Sequence, residues 1–206
     1  MKRVEPKISP YTTESEFEIG ELYNVIITGK PLAKIRLRYE NTTFESCIFN
    51  NVDFSSIELI NVSFMDCIFN NCDLSNKEFI EKLITRTEFH DCKMMGTSFV
   101  DSSIKDVLID NCNVKYLNMS GTRIQRLIIQ NSNMEEAVMI GPEIKDLELI
   151  STSLTGTEIA NANLEKVDLS TCDIKNLIID PSSLNGVIID SFQAASLIGI
   201  LGVKIK

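Results

Sequence analysis

The chain has 206 residues, 44% of them hydrophobic, with 20 Lys and Arg against 29 Asp and Glu for a formal net charge of −9. An acid excess of this size argues against direct binding to nucleic-acid phosphates, which requires a basic surface. No stretch approaches the ~20 apolar residues of a membrane span. Met1-Lys2-Arg3 runs into polar, proline-containing sequence instead of a signal-peptide core, so a cytoplasmic chain with no membrane partner is expected.

Residues 1–16, MKRVEPKISPYTTESE, contain two prolines and no apolar periodicity, which predicts a flexible N-terminal arm. Residues 17–41 read as an irregular cap. Their apolar positions Phe17, Leu22 and Ile27 are two residues out of phase with the array that begins at Phe44, and the slip is expected at Gly29-Lys30-Pro31, where turn residues cluster. Lys34, Arg36 and Arg38 then alternate with Ile35, Leu37 and Tyr39, the pattern of a half-buried strand that would close the N-terminal end.

From Phe44 to Ile189 every fifth residue is large and apolar, thirty times in succession, with no insertion or deletion. A period of five fits neither the helical 3.6 nor the strand 2.0, so the chain must turn a corner in each repeat and place one side chain inside each time. Two positions before each central residue the chain prefers small side chains, as at Thr42, Thr97, Ala137 and Ala162. All six cysteines, Cys47, Cys67, Cys72, Cys92, Cys112 and Cys172, fall on this position, which predicts buried thiols and not metal ligands. Lys77, Lys82 and Pro142 occupy the same position; a long cation cannot be buried unpaired, so a local bulge is expected around Ser75 to Arg86. The lone histidine, His90, falls at an outward position, and the chain has no nucleophile elbow, phosphate-binding glycine loop or paired carboxylates on a helix. Neither an enzyme nor a cofactor or metal site is expected.

Residues 192–206 change character. Ser191 reads as a helix cap, the apolar residues beyond it take helical spacing, and Gly202 is a natural stop. Phe192, Leu197, Ile198, Ile200, Leu201 and Val203 make the segment too apolar to be left in water. It would cover the last coil of its own chain or the same end of a second chain.

The unit of a small residue, often Asp or Asn, a large apolar residue and two variable positions resembles the pentapeptide repeat family, as in Cys72-Asp73-Leu74-Ser75-Asn76 and Ala162-Asn163-Leu164-Glu165-Lys166. The resemblance covers residues 42–191 and implies an all-β fold: a right-handed quadrilateral β-helix with four pentapeptides per square coil, followed here by a short C-terminal helix. It also implies a homodimer joined through residues 192–206. Within the family the chain looks most like the Qnr quinolone-resistance group. The array centred on Phe or Leu, the run Cys67-Ile68-Phe69-Asn70-Asn71-Cys72-Asp73-Leu74-Ser75 and the ending Leu201-Gly202-Val203-Lys204-Ile205 carry that likeness. It is of the loop-less, Gram-positive type, because the unbroken count leaves no room for projecting loops. The likeness implies a DNA mimic that binds DNA gyrase and topoisomerase IV and protects them from quinolones; a non-catalytic scaffold for another partner is the alternative.

Charge is unevenly spread. Residues 1–41 carry net +1, residues 42–191 net −12, and residues 192–206 two lysines. Assigned to four faces in rotation, the repeats centred on Phe49, Phe69, Phe89 and onward hold Glu88, Asp91, Asp110, Glu148, Asp168 and Asp190 and no Lys or Arg. This set is the expected partner-binding face. The opposite face, through Leu59 and Phe79, holds Glu58, Glu78, Glu81, Asp101, Glu158 and Asp180 against Lys77, while the face beginning at Phe44 is nearly neutral.

Overall fold

The computed structural model describes residues 2–10, 12–15, 22–29 and 37–198. Over the repeat region paired residues lie 20 positions apart in parallel, save at Gln125, which pairs with Asp146, so four pentapeptides complete one coil. The ladder Phe49–Phe69–Phe89–Ile109–Ile129–Leu149 runs up one face. Asp53–Asp73–Lys93–Asn113–Asn133–Ser153–Asp173 runs up the next. Glu78–Ser98–Asn118–Val138–Glu158–Ile178 forms the third. The fourth face, through Ile84, Ile104, Ile124 and Ile144, is continuous with the first, because strands Leu83–His90, Ser103–Asp110, Arg123–Gln130 and Glu143–Ile150 bend round their shared corner. The result is the expected four-sided parallel β-helix, of about 7 turns.

The corners explain why five residues close a side. The second residue after each central one adopts positive φ at nearly every repeat, among them Asn51 at 57°, Asn71 at 51°, Asp91 at 56° and Asn131 at 51°. This left-handed conformation costs ordinary L-residues 1–2 kcal/mol or so and is tolerated best by Gly, Asn and Asp, which is why those types recur at this position. Polar ladders tie successive corners: Asn71 Nδ2 donates to Asn51 Oδ1 at 2.7 Å, and Asn111 Nδ2 to Asp91 Oδ1 at 2.5 Å.

The central residues fill the interior. Phe49, Phe69 and Phe89 stack face to face at centroid separations of 4.7 and 4.9 Å, the spacing of adjacent strands. The small position is more than narrow, since its hydroxyls and thiols donate to main-chain carbonyls 23 residues earlier: Thr122 Oγ1 to Phe99 O at 2.7 Å, Thr157 Oγ1 to Met134 O at 2.7 Å, and Cys67 Sγ to Phe44 O at 3.2 Å. All six cysteines are buried and free.

Both ends depart from the array. Ile27 pairs with Phe49, 22 residues on, whereas Tyr39 pairs with Leu59, 20 on, so the two extra residues lie between Thr28 and Arg38. That interval includes the expected slip site, of which Lys30 and Pro31 lie outside the described residues. Of the strand expected over residues 34–39, residues 34–36 lie outside the described residues, and the part beyond them is seen as Arg38–Glu40, paired with Glu58–Ile60; on the adjoining sheet Thr13–Ser15 forms the end rung against Val25–Thr28. At the other end a helix spans Ser191–Leu197, and its N-cap is Asp190, not Ser191. Asp190 Oδ1 accepts from the N–H groups of Phe192 and Gln193, and Gln193 Oε1 returns a bond to the Asp190 N–H, the reciprocal pairing that fixes a helix start. Gln193 Nε2 then donates to the carbonyls of Leu169 and Cys172, both at 2.8 Å, closing the last coil.

The N-terminal residues correct an expectation. Residues 3–9, expected as part of a flexible arm, lie against the rod: Val4 N donates to Asp106 Oδ1 at 2.9 Å, Lys7 N to Asp66 Oδ1 at 2.8 Å, and Ser9 N to Ser46 Oγ at 2.7 Å.

The expected irregularity at Lys77 exists without an insertion. Lys77 Nζ donates to the Ile57 carbonyl at 2.8 Å, and the pairing of that face is divided there, Arg38–Glu40 with Glu58–Ile60 on one side and a ladder beginning at Glu78–Ser98 on the other. Pro142 is simply buried in its small-residue site.

Candidate functional site

The corner shared by the two long-stranded faces carries a column of alternating sign: Asp66, Arg86, Asp106, Arg126, one residue per coil above Ser46. Arg86 closes on Asp66 with Nε and Nη2 both at 2.6 Å, and Arg126 on Asp106 at 2.5 and 2.7 Å. Both carboxylates are buried, 5% and 2% exposed. Burial raises the Asp66 carboxyl, but the Arg86 guanidinium and the Lys7 N–H outweigh it and hold the group below its ordinary value. Asp106 is held low chiefly by Arg126, with the Val4 N–H adding to the effect. These residues were not expected as a site; the signal that finds them is the same corner position read at intervals of 20.

The six expected partner-face carboxylates are not equivalent. Glu88 is bound by Arg3 Nη2 and lies 2.9 Å from His90 Nε2, and only 14% of its side chain is exposed. The chain's own N-terminus thus brings a guanidinium to a face that has neither Lys nor Arg in its repeats. Asp190 is committed to the helix cap. Asp110 accepts from Asn131 Nδ2 at 3.0 Å and lies 4.0 Å from His90 Nδ1. Glu148 lines a hollow of about 440 Å³ beside Lys145, Glu165 and Lys166. Asp91 and Asp168 remain exposed, and the Ser170 side chain, with the Ser170 N–H adding to it, lowers the Asp168 pKa. Outward positions between them are apolar: Leu108 and Ile128 separate Glu88 from Glu148, three coils and ~14 Å apart.

The opposite face is the more open acidic surface. Glu78, Glu81 and Asp101 are all exposed, and Glu81 and Asp101 lie at the same corner of successive coils. The Phe44 face mixes signs, as in the exposed pair Arg123–Glu143, 3.4 Å apart.

The expected end-covering residues divide as follows. Leu197 is buried and Ile198 partly so, which places the helix against its own last coil, whereas Phe192 is 87% exposed. Ile200, Leu201 and Val203 lie outside the described residues. Among the described residues no helix is long and apolar enough to cross a membrane.

Comparison with known proteins gives two family-model matches, one described as pentapeptide repeats over residues 40–76 and one as a pentapeptide repeat region over residues 62–139. No curated protein matches the sequence. Among solved structures, a trypsin-treated point variant of QnrB1, described as a plasmid-mediated fluoroquinolone resistance protein, is 22% identical with a TM-score of 0.46, covering 91% of this chain and all of that one. HetL of the cyanobacterium Nostoc, described as involved in heterocyst differentiation regulation, is 15% identical with a TM-score of 0.34, covering 82% of this chain and 86% of that one. A pentapeptide repeat protein of the Arabidopsis thaliana thylakoid lumen is 15% identical with a TM-score of 0.34, covering 65% and 72%.

Proposed function

We propose that this chain, whose residues 40–139 match pentapeptide repeat family models, is a cytoplasmic, non-catalytic DNA mimic of the Qnr group of pentapeptide repeat proteins that binds DNA gyrase and topoisomerase IV and protects them from quinolones. The observation that carries this reading is the segregation of charge on a rigid rod. Two opposite sides carry exposed carboxylates, Glu78, Glu81 and Asp101 on one and Asp91 and Asp168 on the other, against Lys77 alone in their repeats, while the Phe44 side mixes exposed Glu143 and Glu165 with most of the array's cations. Such a rod presents lines of negative charge to a groove built to hold duplex DNA, and the groove's basic residues attract it at long range. The same acidity disfavours binding to DNA itself. Asp110 and Glu148 add to the Asp91–Asp168 side, whereas Glu88 and Asp190 act within the chain.

A homodimer joined through the C-terminal ends doubles the rod's length. Phe192, left 87% exposed on the helix, is the side chain proposed to be covered by the second copy, with Ile198, Ile200, Leu201 and Val203 beside it. The test is a gyrase supercoiling and DNA-cleavage assay with ciprofloxacin, with and without this protein. Less drug-induced cleavage in its presence supports the reading. Unchanged supercoiling together with unchanged cleavage rejects it in favour of a scaffold for another protein, a role that the exposed column Ile60, Ile80 and Ile140 would also serve.

A further inference from the structure

The alternating corner column is shaped to receive a peptide. Asp66 and Asp106 are two coils apart, ~9.6 Å at the spacing of paired strands, and the donors Val4 and Lys7, with Pro6 between them, are three residues apart, ~9 Å in a polyproline-II chain, whose three-residue period turns both N–H groups to the same side. Each carboxylate is oriented by a bidentate arginine from the next coil, and its Oδ1 accepts both the arginine Nε and the incoming N–H. Ser46 Oγ takes the N–H of Ser9 one coil further down, and Glu88 takes the Arg3 guanidinium at the upper end. Recognition therefore uses main-chain donors plus one arginine. The side chain of Val4 itself remains 43% exposed.

We propose that Ser46, Asp66, Asp106 and Glu88 form a binding site for an extended peptide bearing an arginine, that residues 3–9 are its resident ligand, and that a partner reaching Glu88 and Asp106 must first displace them. Displacement by a partner rests on the topoisomerase reading; the site and its resident ligand do not. The segment then acts as a strap over part of one acidic face, and its release uncovers two carboxylates that a basic strand could take over.

Trypsin cleavage after Lys7, followed by mass spectrometry of the intact chain, tests the strap, because cleavage reports the population of the released form. In wild type the cut is expected to be about tenfold or more slower than in a free peptide of residues 2–12. In an Arg3→Glu/Val4→Pro variant, which loses the ion pair and the N–H given to Asp106, the rate is expected to approach that of the peptide while far-UV circular dichroism at room temperature still reports a folded rod. Equal rates in wild type, variant and peptide would overturn the proposal. Adding gyrase to wild type, with complex formation measured separately by sedimentation, tests displacement. Faster cleavage in the complex supports it, and a complex in which Lys7 stays protected overturns it. The absence of any complex counts against the topoisomerase reading alone, since the ratio of wild-type to variant cleavage still decides the strap.

Discussion

Arg126 holds both oxygens of Asp106, Nε at 2.5 Å and Nη2 at 2.7 Å, from the coil directly above, while Val4 donates to the same carboxylate from 102 residues earlier in the chain. One buried acid thus joins two coils and the N-terminal segment. Its neighbour Asp66 does the same with Arg86 and Lys7.

These pairs predict an acid limb of stability. Both folded-state pKa values are depressed, so the pairs contribute fully above the unfolded carboxylate value of about 4 and lose that contribution as pH falls through and below it. The melting temperature should fall below about pH 4, and an Asp66→Asn/Asp106→Asn variant should be less stable at neutral pH with a flatter acid limb. Parallel acid limbs in the two proteins would contradict this.

The ring stack predicts a core cost. Phe69 is fully buried between Phe49 and Phe89, so Phe69→Ala should lose about 3–5 kcal/mol in urea unfolding. Cys67→Ser should be milder, because a hydroxyl can also donate to the Phe44 carbonyl. A loss below ~1 kcal/mol for Phe69→Ala would mean that the stack does not limit stability.

The corners predict an unusual preference for glycine. Asn71→Gly should lose only the exposed bond to Asn51, whereas Asn71→Val should lose that bond and cost about 1–2 kcal/mol more for the left-handed backbone. Gly121→Ala should cost about 1–2 kcal/mol for its φ of 65°, the exposed Asp101 carboxylate turning aside from the new Cβ. Thermal unfolding of the three variants gives the ranking.

Charge reversal separates mimicry from solubility. Glu78→Lys with Asp168→Lys alters the two acidic sides by four charge units, and Glu143→Lys with Glu165→Lys alters the Phe44 side by the same amount. All four are exposed, so the fold should survive in both, but gyrase affinity should fall about tenfold or more only in the first pair, and wild-type affinity should weaken with salt. Equal losses would remove any meaning from the segregation. Asp66 and Asp106 cannot serve as neutral-face controls, because both are structural.

Phe192→Asp tests the dimer. At 87% exposure the ring contributes little to its own chain, so the melting temperature should hold while light scattering reports half the wild-type mass. A wild type that is already monomeric removes the premise.

The repeat was legible because burial acts on every fifth residue from Phe44 to Ile189 with no break in phase. The corner was legible too, in the Asn, Asp and Gly that recur two residues after each centre, but it is a conformational signal and not a hydrophobic one. Capping was misplaced by one residue: Asp190 and Ser191 are both good caps, and Gln193, three residues after Asp190, is what selects it. The docking of residues 3–9 left almost no trace in the sequence, since main-chain N–H groups look the same in every residue and only Arg3 marks the contact. Glu88 and Asp190 were read as surface charges for the same reason. Their partners are a distant N-terminus and a helix backbone.

In a solenoid each coil ordinarily touches only the coils above and below it, so unfolding can begin at either end and proceed rung by rung. The segment bonded to Ser46, Asp66 and Asp106 is different: it spans four successive coils and joins that of Asp66 directly to that of Asp106, two coils on, as a tie rod clamps a column of stacked blocks. Fraying of the first coils must break bonds several rungs away, so the N-terminal half should open as one cooperative block while the C-terminal half, held at its tip among the described residues by Gln193, Leu197 and Ile198, peels gradually.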